Sequence, residues 1–162
     1  MTVIAVTGHM DLTEQSVVLV REALKTLLAD HTQDGLTGVS CIAKGADAIF
    51  ADVVLSLGGR LVVVVPSADY RQTKVKPGYA TEFDRLHGAA HEVVVMPHAQ
   101  ANREAYEAAN KELLRRADHL FAVWDGQPGN GRGGTADTVA SARAIGLPVT
   151  IVWPDGATRQ NQ

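Results

Sequence analysis

Short apolar runs rich in β-branched residues recur along the chain, at 3–6, 39–43, 61–65, 93–96, 120–124 and 149–153. They are continuously apolar rather than alternating, the pattern of strands covered on both faces in a parallel sheet. Segments with helical period lie between most of them. The first places Val17, Val20, Leu24, Leu27 and Leu28 on one face, with Asp11 and Glu14 spaced as a capping box. The second carries Phe50, Val53, Val54 and Leu57 and stops at Gly58-Gly59, a C-terminal stop signal. A third runs from about Tyr79 through Phe83 and Leu86. A fourth follows Asn102 with Tyr106, Ala109, Leu113 and Ala117 on one stripe, and the last begins at Thr135 and ends at Gly146, before Pro148. Alternating strand and helix predicts a single-domain, doubly wound α/β fold. Its sheet is mainly parallel and Rossmann-like, with about six strands and helices on both faces. The domain spans 1–153, and the polar, aperiodic run 154–162 reads as a frayed, flexible tail. Residues 67–78 form a polar connection that is long for a strand-to-helix loop.

Composition narrows the class. In 162 residues, 46% hydrophobic and 20% charged, disorder and fibrous structure are excluded. Fifteen Lys+Arg against eighteen Asp+Glu leave a net charge of −3, which does not favour broad electrostatic binding to nucleic acid or anionic membrane. One cysteine, Cys41, excludes an internal disulfide and a Cys-rich zinc site. His31, His87, His91, His98 and His119 are scattered without ligand-like spacing, so neither a metal nor another cofactor is expected. The longest purely apolar run, 61–65, is far short of the roughly 18–20 residues of a membrane helix, and no basic-plus-apolar leader precedes Thr2. The expectation is a soluble, cytoplasmic protein with no membrane partner.

In open parallel sheets, ligands sit beyond the carboxyl ends of the strands, so function is read from the residues just after each strand. Thr7-Gly8-His9 comes after the first and Lys44-Gly45-Ala46-Asp47 after the second. The fifth leads into Asp125-Gly126 and a run to Gly134-Thr135 that holds five glycines. Glycine lets backbone N–H groups converge on an anion, and Arg132 adds a planar donor fork suited to phosphate. Gly131, Arg132, Gly133, Gly134 and Thr135 are therefore the candidate phosphate cradle; a plain surface loop is the alternative. Gly126 and Gly131 have P-loop spacing, but Arg132 and Gly133 stand where that motif needs Lys and Ser/Thr. A Rossmann dinucleotide fingerprint is missing as well, since only Gly8 comes after the first strand. Gly8, His9, Lys44, Gly45, Ala46 and Asp47 are candidates for the ribose or base side. His9 is expected at the exposed sheet edge, and Asp47 either caps its helix or bonds a sugar hydroxyl. Tyr106 reads as a core aromatic or a pocket residue. Arg71, Lys74 and Lys76 mark the 67–78 connection as a solvated connector or a cationic lid.

These loops in this order, with Val123-Trp124-Asp125-Gly126 leading to Gly133-Gly134-Thr135-Ala136-Asp137, resemble the SLOG superfamily, which unites SMF/DprA DNA-processing proteins with LOG-type nucleotide phosphoribohydrolases. The resemblance spans most of the chain. It implies a nucleotide or nucleotide-derived small-molecule ligand held by the glycine loops, and a homodimer. LOG-type enzymes cleave the N-glycosidic bond of nucleoside 5′-monophosphates with a P-G-G-x-G-T-x-x-E motif. Here Asn130, Gly131 and Arg132 stand for its Pro and first two glycines, and Thr138 stands where the glutamate belongs. Asp137 is the nearest carboxylate, rotated by about 100° on the helix, and is the one catalytic candidate if the protein is a hydrolase. DprA-like binding of single-stranded DNA calls for a basic groove with stacking aromatics. At net charge −3 and 5% aromatic residues, nucleic acid is not the expected partner. The ligand-sensing branch, which needs pocket glycines and no catalytic acid, fits best, and whether the protein is an enzyme stays open.

Overall fold

The computed structural model describes residues 1–129 and 134–160. Six strands form one wholly parallel sheet: β1 (Thr2–Gly8), β2 (Leu36–Ser40), β3 (Arg60–Val65), β4 (Glu92–Val95), β5 (His119–Val123) and β6 (Val149–Ile151), in the order β4-β3-β2-β1-β5-β6. The helices are α1 (Glu14–Ala29), α2 (Ala46–Ser56), α3 (Tyr70–Lys74), α4 (Pro77–Ala89), α5 (Arg103–Arg116) and α6 (Thr135–Ala144). Parallel neighbours require crossovers, and the period-two pleat sends alternate strand residues to opposite helical layers. Ile4 and Val6 of β1 pack with Val20, Leu24, Phe50 and Phe121 under α1 and α2. Leu61 and Val63 continue that face toward Phe83 and Leu86 of α4. Ala5, Val39, Val62, Val64 and Leu120 face the other way, against Ala109 and Leu113 of α5 and Ala142 of α6. No described helix is long and apolar enough to cross a membrane.

The architecture is the expected one; four local details differ. The second strand covers 36–40 rather than 39–43. Thr37 and Gly38 lack an apolar signature, but a Cβ on Gly38 would meet Phe50 and Val54 at 2.9 and 2.6 Å, so glycine is what lets α2 lie on the strand. Beyond Ser40 the chain leaves the sheet through Ile42, a β-branched residue with φ 48, whose N–H bonds Ser40 Oγ at 3.0 Å. Helix α1 is capped by Thr13, which accepts the Ser16 N–H at 3.2 Å, in place of the Asp11–Glu14 box. The 67–78 connection holds α3, a single turn whose one buried side chain, Tyr70, is too little to leave a period. The run expected to fray has partners as far as Gln160. Thr158 exchanges bonds with Ser16 Oγ (2.7 and 2.9 Å), Arg159 pairs with Leu12 in an antiparallel bridge, and Gln160 N–H reaches Asp11 O at 2.6 Å.

Candidate functional site

The strand order reverses between β1 and β5: β1 leads into β2 on one side, β5 into β6 on the other, by helices on opposite faces. The loops leaving adjacent strands diverge there and leave a crevice at their carboxyl ends. A cavity of about 650 Å3 occupies it. It runs along the sheet edge from Trp124 and Asp125 after β5, past Gly8 and His9 after β1 and Ala43 after β2, to Pro66 and Tyr70 after β3. Three inter-strand steps make that roughly 14 Å, with α5 (Tyr106, Asn110) closing one wall.

Of the candidates read from sequence, Gly8, His9, Asp47, Asp125, Gly134 and Thr135 line this cavity. Lys44 and Gly45 instead line a smaller pocket of about 210 Å3 beside Arg21, Asp52 and Arg85. Ala46 is fully buried, and Gly126, with φ 82, lies outside the cavity wall. Asp137 opens on a separate groove with Glu107, Lys111 and Ser141, while Thr138 takes the place on the cavity wall. Gly131, Arg132 and Gly133 fall outside the described residues. Tyr106 and Lys74, each open to two readings, both reach the cavity.

The glycines divide into two kinds. A Cβ on Gly8 would lie 2.5 Å from Ala46 Cβ and 2.8 Å from Val123 Cβ. On Gly45, at φ 95, it would lie 2.6 Å from His9 O and 2.7 Å from Met10 Cα. Both let the first two strand-to-helix turns press together, sealed by the Ala46 N–H to His9 O bond at 3.1 Å. A Cβ on Gly134, which lines the cavity, would meet nothing within 4 Å among the described residues.

At the β1–β5 end, charges are matched. His9 is buried, 7% exposed, and not at the exposed edge; its ring meets Trp153 edge-on at 5.6 Å. The Asp125 N–H donates to His9 Nε2 at 3.1 Å, and Asp125 Oδ1 lies 3.2 Å from the same nitrogen. The two contacts ask for opposite proton states. Burial and then the nearby Arg159 guanidinium lower the pKa of His9 more than Asp125 raises it, so the ring is neutral and Nε2 accepts. Asp125 also receives the Gln127 N–H at 3.0 Å. Arg159, from the C-terminal segment, bonds Asp11 through Nε at 2.9 Å and stands 3.7 Å from Asp125 Oδ2. It bridges the loops on either side of the crevice and lines the cavity. Sequence reading missed Asp11 and Arg159, which sit 148 residues apart with no local motif to join them.

The β2–β3 end differs. Asp47, in the first turn of α2, has its carboxyl pushed up to about 7 by burial, against the lowering effect of a bond from the Ala43 backbone. It keeps some accessible surface only because it opens onto the cavity. Cys41, Tyr70 and Tyr106 share that end, the two phenol rings edge-on at 6.4 Å. Burial, with Asp47 nearby, pushes the Cys41 thiol up, so it is not a poised nucleophile. Tyr79 hydroxyl donates to Ile42 O at 2.7 Å and holds the strained turn that presents Cys41 and Ala43. Among the described residues, no group of three or more His, Cys, Asp or Glu could hold a metal ion.

No protein-family model and no curated protein matches the sequence. Solved structures do match. DNA processing protein A (DprA) from Streptococcus pneumoniae aligns with a TM-score of 0.70 at 20% identity, over 93% of this chain and 50% of that one. DprA from Helicobacter pylori, in a structure concerned with its single-stranded DNA binding mode, gives 0.69 at 17% identity, over 99% and 67%. The molybdenum cofactor carrier protein of Chlamydomonas reinhardtii gives 0.58 at 22%, over 93% and 75%. The chain shares the fold of these proteins. At these identities the likeness carries the architecture and no chemistry, and the chain spans only half the length of the pneumococcal DprA. One expectation falls with it. Net charge argued against a nucleic-acid partner, yet the same fold serves a DprA with a single-stranded DNA binding mode. A whole-chain charge of −3 averages over all faces and says little about one groove.

Proposed function

We propose that the cavity binds a nucleotide or nucleotide-derived small molecule, with its phosphate held where residues 126–135 lead into α6. The observation that carries this reading is the cavity at the sheet's switch point, with the start of α6 on its wall. First-turn amides of an α-helix have no acceptor within the helix and sit at its positive end, so Thr135 and Ala136 present donors where an anion would rest. Lys74 and Arg159 are cations that also line the cavity. The volume is within the usual range for small-molecule sites.

The fit to the hydrolytic branch is weaker. Departure of a base from a ribosyl centre builds positive charge that a carboxylate must face. Asp137, the acid nearest the motif position, opens on a different groove. Of the cavity's own carboxylates, Asp11 and Asp125 are engaged by Arg159, while Asp47 lies two strands from the start of α6. Binding without turnover is therefore the reading adopted. Native mass spectrometry of protein taken directly from cells is expected to show a retained mass in the nucleotide range. Incubation with nucleoside monophosphates is expected to release no free base; base release that Asp137→Asn abolishes would overturn the binding-only reading.

A further inference from the structure

The two ends of the cavity differ in what they leave for a ligand to satisfy. At the β1–β5 end, Asp125 and Asp11 already have the Arg159 guanidinium, and Asp125 also has the Gln127 amide. At the β2–β3 end, Asp47 has the Ala43 backbone as hydrogen-bond partner and no ion-pair partner among the described residues. An ionised carboxylate can accept about four hydrogen bonds, and a buried one without its donors is costly. Cys41, Tyr70 and Tyr106 around it supply the soft, aromatic walls that suit a flat heterocycle.

Position along the sheet edge decides which part of a ligand arrives there. The start of α6 comes after β5, and Asp47 belongs to the turn after β2, two strands away and so roughly 10 Å along the edge. On that spacing, a mononucleotide with its phosphate at α6 and its base directed along the edge toward β3 would lay its sugar over β1 and its base over β2. Building on the nucleotide reading, we infer that the β2–β3 end of the cavity is a base subsite, in which the Asp47 carboxylate accepts N–H bonds from an exocyclic amine, so that the protein selects nucleotides of amino-bearing bases. A ribose hydroxyl, the other donor a nucleotide offers, falls one strand short.

The test is titration calorimetry of the full chain at pH 8, above the pKa of about 7 of the Asp47 carboxyl, with the 5′-monophosphates of adenosine, guanosine and cytidine against those of inosine and uridine, repeated with Asp47→Asn. A hydrogen bond to a charged acceptor is worth about tenfold or more in affinity. The wild type is expected to bind at least one amino-bearing nucleotide about tenfold tighter than its amine-free counterpart. Asp47→Asn, nearly the same shape, keeps an acceptor oxygen but loses the charge, and is expected to cut that preference several-fold and still bind the amine-free nucleotide. No preference in the wild type, or a preference undiminished in Asp47→Asn, overturns the base subsite while nucleotide binding stands. Loss of the preference with a 2′-deoxy nucleotide instead would reassign Asp47 to the sugar and overturn the inference as well. Failure of every nucleotide to bind removes the underlying reading first. Should Asp47→Asn not fold, the wild-type panel alone decides.

Discussion

The paired turns after β1 and β2 and the approach to α6 are both glycine-marked, and they use glycine for opposite reasons. At Gly8 and Gly45 the space a side chain would need is already filled by the protein's own Ala46, Val123, His9 and Met10. At Gly134 no described residue occupies the same space, and the glycine lines the cavity. A glycine-rich loop read from sequence thus mixes two populations: residues that let the fold close and residues that let a guest come near. The first is tested by stability, the second by binding.

The largest effect is expected at Gly45. Gly45→Ala forces a Cβ against the backbone of His9 and Met10 at φ 95, and Gly8→Ala drives one into Ala46 and Val123. Each is expected to lose about 3 kcal/mol or more in urea denaturation, because backbone and a packed core cannot yield cheaply. A loss below about 1 kcal/mol at both would show that the turns are not tightly closed.

Asp47 comes next. Its folded-state pKa of about 7 exceeds the ordinary 3.8, so between those values the folded chain holds a proton that the unfolded chain has released. Stability therefore falls as pH rises from about 4 to about 7. Asp47→Asn is expected to raise the melting temperature relative to wild type at pH 8 and to leave it nearly unchanged at pH 4. Parallel melting curves across that range would contradict the burial assigned to this carboxyl.

Smaller effects lie at the border between the two regions. Arg159→Ala removes the link between Asp11 and Asp125, but the guanidinium is about one-third exposed and solvent-screened, so the stability loss is expected to stay under about 1 kcal/mol. Its effect on affinity for an anionic ligand is expected to be larger, with the binding constant becoming more salt-sensitive in wild type than in the variant. Smallest in stability is Gly134→Val. With φ −82 and nothing within 4 Å among the described residues, it is expected to cost less than about 1 kcal/mol while filling the cavity wall.

The layered α/β architecture was legible because strands buried on both faces must be continuously apolar, and 61–65 and 120–123 could be read on no other terms. The start of β2 was not, since the reason for Gly38 is the packing of Phe50 and Val54 from a later helix. The site was half legible. His9, Asp47, Asp125, Gly134 and Thr135 lie just beyond strands and could be placed at one edge by topology alone. Arg159 and Asp11 meet only because the last residues return to the first loop, a contact that leaves no periodicity. The burial of His9 was equally hidden, as it depends on Trp153 from the far end of the chain. Asp137 and Thr138 show the limit of motif reading: one residue of helical phase separates a groove from the cavity.

Ligand binding at the start of α6 is tried most directly by a thermal-shift titration of wild type and Gly134→Val side by side with nucleoside monophosphates. Binding to the native state must raise the melting temperature in a saturable, concentration-dependent way. That rise is expected for wild type, together with its loss in a Gly134→Val protein that melts close to unliganded wild type. No rise in wild type, or an equal rise in both proteins, would contradict a phosphate site at this helix.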